Sequence, residues 1–356
     1  MTMKITVKGQ ELNLLDNNQL SIVQNKTKPL DSWILDTFFP NKVGFDNQKA
    51  VPIDELETSQ PLAPFVSPVV QGKPIREQGN FERKYIQAPY VKPAKMITPA
   101  NTYDLALFTR LKDATIIKGD MSMSDKWRLA QIGAFNELRQ SIVNRKVLMA
   151  CDILTKGKTI AVGDDHAAME IDFGRHSNLS FTPVAKWHEP DADVVGDIET
   201  MNARLIEHGG TGASVILTSS KLYMHMVRNK GFTERFIDPK GSTAPNPFNL
   251  GLAVPNAKYR GEIDGIAVYT YDEKHKLDGK AERFISEKGF YMIADTTGYQ
   301  AQCEIQHLSA NGRAVEFFDY SVVQEDPSGI KMICESSPLI VPSNVNGVCG
   351  GDEFID

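Results

Sequence analysis

With 356 residues, 41% apolar and 24% charged, the chain is long enough to bury a real core, and a length prior gives roughly two domains. A net charge of −6 argues against a surface built to grip nucleic acid or anionic lipid through many phosphate contacts. No stretch approaches the roughly 20 apolar residues of a membrane span, and the first residues lack the apolar run of a signal peptide.

Residues 1–30 are polar and rich in Asn and Gln, with weak alternation at Ile5 and Val7, and read as an extended or partly ordered arm. An amphipathic turn follows at 30–39 (LDSWILDTFF), where Leu30, Trp33, Ile34, Thr37 and Phe38 share a helical face until Pro40 stops it. Between 61 and 99 seven prolines exclude a helix, and β-type segments at 65–71 and 84–96 flank a glycine-bearing, charged stretch at 72–81. This reads as a long hairpin with too few apolar residues for a core of its own.

The strongest helical signal spans 122–156. Ser122 with Asp125 forms a capping box, no proline interrupts the run, and Gly157 supplies a left-handed stop. Its apolar stripe is Ile132, Phe135, Leu138, Ile142, Val143, Val147, Ala150 and Leu154, and Lys126, Arg128, Glu137, Arg139 and Arg145 are expected outside it. A hairpin is expected at 158–162 and 169–173, turning at Gly163-Asp164-Asp165. A helix follows at 191–207, ending at Gly209-Gly210. Next come a buried strand at 215–217 and a helix at 219–228 with Leu222, Met226 and either Tyr223 or Met224 inward. Further strands are expected at 266–271, Phe290–Ala294, 329–341 and 347–354.

Few of these residues suggest catalysis. The glycine-rich run at 208–212 precedes a strand, whereas a phosphate cradle follows one and opens a helix. Asp164, Asp165 and His166 suit turn geometry, with no second ligand cluster at metal-binding spacing. Four scattered cysteines, Cys151, Cys303, Cys334 and Cys349, match neither a zinc pattern nor a compact disulfide framework, and a reducing bacterial cytoplasm is the simplest compartment. No catalytic residue, metal or cofactor is therefore expected.

Several collinear segments carry a resemblance. FVSPVVQG (65–72), IREQG (75–79) and PYVKPAKMITP (89–99) resemble the signature region of the lambda phage major head protein family. LDSWILDTFF (30–39), ILTKGK (153–158), MEIDFGR (169–175), DADVVGDIETMNARL (191–205) and MICESSPLIVPSNVNG (332–347) extend it in order. The resemblance implies an α+β chain with the Hong Kong 97 phage-type capsid fold. That layout has an N-terminal arm and short helix (1–60), an extended loop (61–99), a peripheral domain with spine helix 122–156 (100–212), an axial domain (213–328) and closing β segments (329–356).

It further implies a structural major capsid protein whose hexamers and pentamers form an icosahedral head enclosing double-stranded DNA, assembled in the host cytoplasm. The implied partners are scaffolding, portal and decoration proteins and DNA bound without sequence specificity. Under this reading the charged loop tip, Lys73, Arg76, Glu77, Glu82, Arg83 and Lys84, becomes a candidate inter-subunit contact, although each exposed pair contributes only ~0–1 kcal/mol. Two alternatives stay open: an encapsulin-type compartment shell on the same fold, and an enzyme whose site lies in 231–328.

Overall fold

The computed structural model describes residues 4–7, 10–13, 32–56, 81–98, 123–163, 166–233, 253–254, 257–277, 280–294, 298–326 and 328–356. β1 (Lys4–Val7) and β2 (Gln10–Asn13) form an antiparallel hairpin within the polar arm. α1 (Trp33–Phe38) follows, with Trp33, Ile34, Leu35 and Phe38 buried. Thr37 is exposed, contrary to expectation, because the buried face rotates toward Leu35 and Phe39; Leu30 lies outside the described residues.

β3 (Asn41–Phe45) and β4 (Ala50–Leu56) come next, and β5 (Phe81–Gln87) pairs antiparallel with β4 from Ala50↔Gln87 to Leu56↔Phe81. The ribbon's first strand thus begins at Ala50, before the proline-rich stretch, and the expected 65–71 segment lies outside the described residues. The expected 84–96 strand divides at Pro89 and Pro93: its second part is β6 (Ala94–Ile97), which joins a different sheet. The ribbon base is rooted, since Val51 is fully buried and Ile53 and Ile86 pack on the main core.

α2 (Met123–Lys156) is the long helix, 34 residues, closed by Gly157 at φ +71°. Glycine is required there: a Cβ would also lie 2.7 Å from that of Arg175. Phe135, Leu138, Ile142, Val143, Val147, Ala150 and Leu154 are buried as expected, whereas Ile132 is only partly so. Arg139 corrects the expected charged face, being 6% exposed and paired with Asp319. Ser122 lies outside the described residues. β7 (Lys158–Gly163) and β8 (His166–Asp172) form the expected hairpin.

α3 (Val194–Gly209) starts where Asp193 Oδ1 accepts from the Gly196 N–H at 2.9 Å and ends at Gly210 with φ +81°. β9 (Ala213–Thr218) leads into α4 (Ser220–Arg228), capped by Ser219 Oγ accepting from the Leu222 N–H. Tyr223 is the inward residue and Met224 is exposed. The remaining strands are β10 (Ala253–Val254), β11 (Ala257–Ile263), β12 (Ile266–Thr270), β13 (Lys274–Leu277), β14 (Lys280–Arg283), β15 (Phe290–Ala294), β16 (Tyr299–Cys303), β17 (Phe318–Gln324), β18 (Gly329–Glu335), β19 (Pro338–Val341) and β20 (Val348–Gly351).

The largest sheet runs β10-β11-β12-β9-β15-β20, with β9 and β12 parallel. Both its faces are covered, so its inner strands read as apolar runs. Ile216, Phe290 and Met292 join a core with Ile198, Met201 and Leu205 of α3 and Leu222 and Met226 of α4. Leu217, Tyr291 and Ile293 point the other way, into a core with Trp33 and the Val143–Leu154 half of α2. A smaller sheet, β17-β18-β6, packs Ile97, Ile330, Met332 and Cys334 against Phe135, Leu138 and Ile142. A third, β19-β16-β3, pairs β16 parallel to β3.

Packing crosses the segment boundaries read from sequence. α3, placed in 100–212, lies on the six-stranded sheet. The strand β17, placed in 213–328, and β18 from the closing segment share one sheet on α2.

Candidate assembly surfaces

Of the six candidate contact residues, Lys73, Arg76 and Glu77 lie outside the described residues, and Glu82, Arg83 and Lys84 lie on β5. The register sets Arg83 opposite Asp54, Lys84 opposite Ile53 and Glu82 opposite Glu55. Arg83, Lys84 and Tyr85 are exposed, Tyr85 by 68%. Beside them opens a surface depression of about 480 Å³ lined by Gln48, Lys49, Ala50, Pro52, Arg83 and Tyr85.

A second group, not foreseen from sequence, joins α2 to the segment 316–319. Arg139 Nε donates to Asp319 Oδ2 at 2.9 Å, and the Asp319 side chain is 1% exposed. Two turns on, the fully buried Lys146 ammonium lies 2.6 Å from Glu316, which Lys42 also reaches at 2.9 Å. Phe317 sits between the two cations, its ring centroid 5.9 Å from the Arg139 guanidinium and 5.6 Å from the Lys146 ammonium. Burial pushes the Lys146 pKa down, and Glu316 opposes that shift. For Glu316 burial works upward, but Lys146 and Lys42 prevail and hold the carboxyl below its ordinary range.

Glu335, at the end of β18, is handled the same way. Tyr90 and Tyr320 donate to its carboxylate at 2.5 and 2.7 Å, and Lys92 lies 2.6 Å away. Burial alone would raise its pKa; the hydrogen bonds from Lys92, Tyr90 and Tyr320 outweigh it and lower the value. Arg175 ends α2: its guanidinium donates to the carbonyls of Ile153, Leu154 and Thr155 and to that of Val345. These are unsatisfied terminal acceptors of the helix, and a cation there suits the macrodipole. Burial brings the Arg175 pKa down to about 10. Its only signal in sequence was its place in the MEIDFGR segment.

The other candidates resolve into structural parts. The glycine run at 208–212 ends α3, with the Gly210 N–H donating to the Ile206 carbonyl. Trp187 is buried and donates through Nε1 to Asp197. Asp164 and Asp165 lie outside the described residues. All four cysteines are buried free thiols, and burial pushes Cys303 and Cys349 up to about 11, away from nucleophilic use. Among the described residues no group of three or more His, Cys, Asp or Glu could hold a metal ion. No helix among the described residues is long and apolar enough to cross a membrane.

Comparison with known proteins finds similarity to phage capsid proteins. The family model described as phage major capsid protein E matches residues 16–352. The major capsid protein of Escherichia phage lambda is 22% identical over 357 residues, covering 97% of this chain and 98% of the relative. That of Escherichia phage N15 is 25% identical over 267 residues, covering 72% and 73%. The crystal structure of a prophage capsid protein from Escherichia coli CFT073 superposes with a TM-score of 0.68 at 19% identity, covering 95% of this chain and 99% of that one.

Proposed function

The chain belongs to the phage major capsid protein E family, and from that premise we propose that its copies form hexamers and pentamers closing into an icosahedral head around double-stranded DNA. Its fold is the Hong Kong 97 phage-type α+β capsid fold, and its role is that of a structural shell subunit of a tailed phage, placed in the virion. The observation that carries the finer reading is the β4–β5 ribbon, two-stranded and exposed at Arg83, Lys84 and Tyr85, in a chain whose family assembles into shells. Such a ribbon is marginal alone and gains order by lying on a neighbour.

In this reading α2 with the β17-β18-β6 and β19-β16-β3 sheets forms the peripheral part, and the six-stranded sheet with α3 and α4 the axial part. Lys73, Arg76, Glu77, Glu82, Arg83 and Lys84 then choose partner and register through mixed charge. Scaffolding, portal and decoration proteins meet the shell during and after its assembly in the host cytoplasm, and the DNA is enclosed without sequence-specific contacts. Negative-stain microscopy of the expressed chain tests this: closed shells or rings of five and six are expected, and uniform small monomers or dimers contradict it.

A further inference from the structure

The β4–β5 ribbon has two roots, and they are held in different ways. At the first, residues 46–48 meet the segment 304–314 largely through the main chain. The Asn47 N–H donates to the Gly312 carbonyl at 2.8 Å and the Glu304 N–H to that of Gln48 at 2.9 Å, and Asp46 Oδ1 accepts from the Ala314 N–H. The second root is the stretch 88–93 (APYVKP), which links β5 to β6. Pro89 and Pro93 bring no N–H, and the Ala88 N–H stays within the ribbon on the Lys49 carbonyl, so few backbone bonds reach the body. Val91 and Ser336 exchange bonds of 2.8 and 2.9 Å, and the Cys334 N–H donates to the Pro93 carbonyl, which makes Val91 a pivot. Val51, Ile53 and Ile86 pack the ribbon's base on the main core, but apolar contact is non-directional.

Direction at the second root comes from one side chain. Tyr90 and Lys92 flank Val91 on one side of the extended stretch, and both reach Glu335. Tyr90 Oη donates to Glu335 Oε2 at 2.5 Å and accepts from the Gln306 N–H at 3.3 Å. One phenol thus ties the second root to β18 and also to the segment that grips the first. Glu335 is itself fixed from the body: Tyr320 Oη of β17 donates to its Oε1 at 2.7 Å, and its side chain is 1% exposed. Burial and the Glu335 carboxylate both push the Tyr90 pKa up, which keeps the phenol a donor. A buried charge adds little net stability over apolar packing, whereas its hydrogen bonds fix angles.

We propose that Tyr90, acting through Glu335, is the positioning residue of the ribbon: it sets the direction in which β4 and β5 leave the body, and so the angle at which a copy is met. The inference deepens the shell-forming reading above and rests on it. Removing the Tyr90 hydroxyl leaves the Val91 pivot and the apolar base in place, so the ribbon stays folded while its direction spreads. Removing the Tyr320 hydroxyl takes an equivalent bond from the same carboxylate but leaves the second root tied.

Spin labels on Tyr85→Cys, exposed on the ribbon, and Val184→Cys, exposed on the body, read that direction in the unassembled full-length subunit, since all four native thiols are buried. Pulsed dipolar spectroscopy gives one narrow distance distribution for the labelled parent. Tyr90→Phe broadens it roughly twofold or more with circular dichroism unchanged, while Tyr320→Phe leaves it narrow. In unlabelled chains Tyr90→Phe gives shells of mixed diameter or poor closure by negative-stain microscopy. A broad distribution in the parent, no broadening in a folded Tyr90→Phe chain, or equal broadening by Tyr320→Phe overturns the inference and leaves the shell reading standing. Broadening accompanied by shells of wild-type diameter and yield overturns it equally. A wild-type chain that forms no shells defeats both readings. Should Tyr90→Phe fail to fold, Glu335→Gln is read in its place, and a distribution as narrow as the parent's overturns the inference.

Discussion

The six-stranded sheet and the β4–β5 ribbon are both β structure, yet they solve opposite problems. Every residue of β15 is buried, its alternate side chains feeding two separate cores, one with α3 and α4 and one with α2. The ribbon buries Val51 at its base and then shows Arg83, Lys84 and Tyr85 to solvent. In the sheet each residue adds to the stability of its own subunit. In the ribbon Ile53 and Ile86 pack on the main core, whereas Arg83, Lys84 and Tyr85 stay exposed.

That contrast predicts a graded response to mutation. The largest loss of subunit stability is expected at Arg139, because Arg139→Ala strands the buried Asp319 carboxylate. A cost of ~3–5 kcal/mol follows from breaking a buried pair, read as a lowered urea midpoint of the unassembled subunit. Replacing both partners by apolar residues of similar volume (Arg139→Met with Asp319→Leu) should restore most of it, which shows that the charges specify the joint more than they strengthen it. Leu138→Ala, on the apolar stripe beside it, should cost ~2–5 kcal/mol by the same measurement.

A smaller effect comes with pH. The folded-state pKa values of Glu316 and Glu335 lie below the ordinary carboxylate range. Their contribution is present above that range and is lost as pH falls through the lowered values. Urea midpoints of the subunit should therefore drop on acidification from neutral pH into and below the ordinary glutamate range. Glu335→Gln should be less stable than wild type at pH 7 and should flatten that acid limb.

Much of the body was legible because its local signals agree with its burial. The long helix, its glycine stop, the hairpin read at 158–162 and 169–173, the glycine end of α3, the helix α4 and the strand at Phe290–Ala294 each follow from periodicity or turn chemistry. The ribbon's first strand was missed because AVPIDEL carries a proline and two acids, a poor strand by propensity that is held by pairing to β5. β13, β14 and β17 were missed because they are short or half-exposed and show little apolar alternation, although β13 pairs with β14 and β17 with β18, each only a few residues away. Arg139 read as a solvent-facing charge and Lys146 was not singled out, since their partners Asp319 and Glu316 stand 180 and 170 residues away. The candidate contact residues were legible as a charged cluster in the sequence.

The ribbon itself should give the smallest stability change of all, and its charge reversal is the most direct test of the division between fold and assembly. Arg76→Glu with Arg83→Glu should leave circular dichroism and the urea midpoint of the subunit within about 0.5 kcal/mol of wild type, as for surface substitutions generally. Shell yield by negative-stain microscopy, measured on the same preparations, should fall sharply or shift to aberrant particles. A double variant that assembles at wild-type yield would make the ribbon charges an ordinary solvated surface, and one that unfolds as a subunit would place the ribbon in its own core.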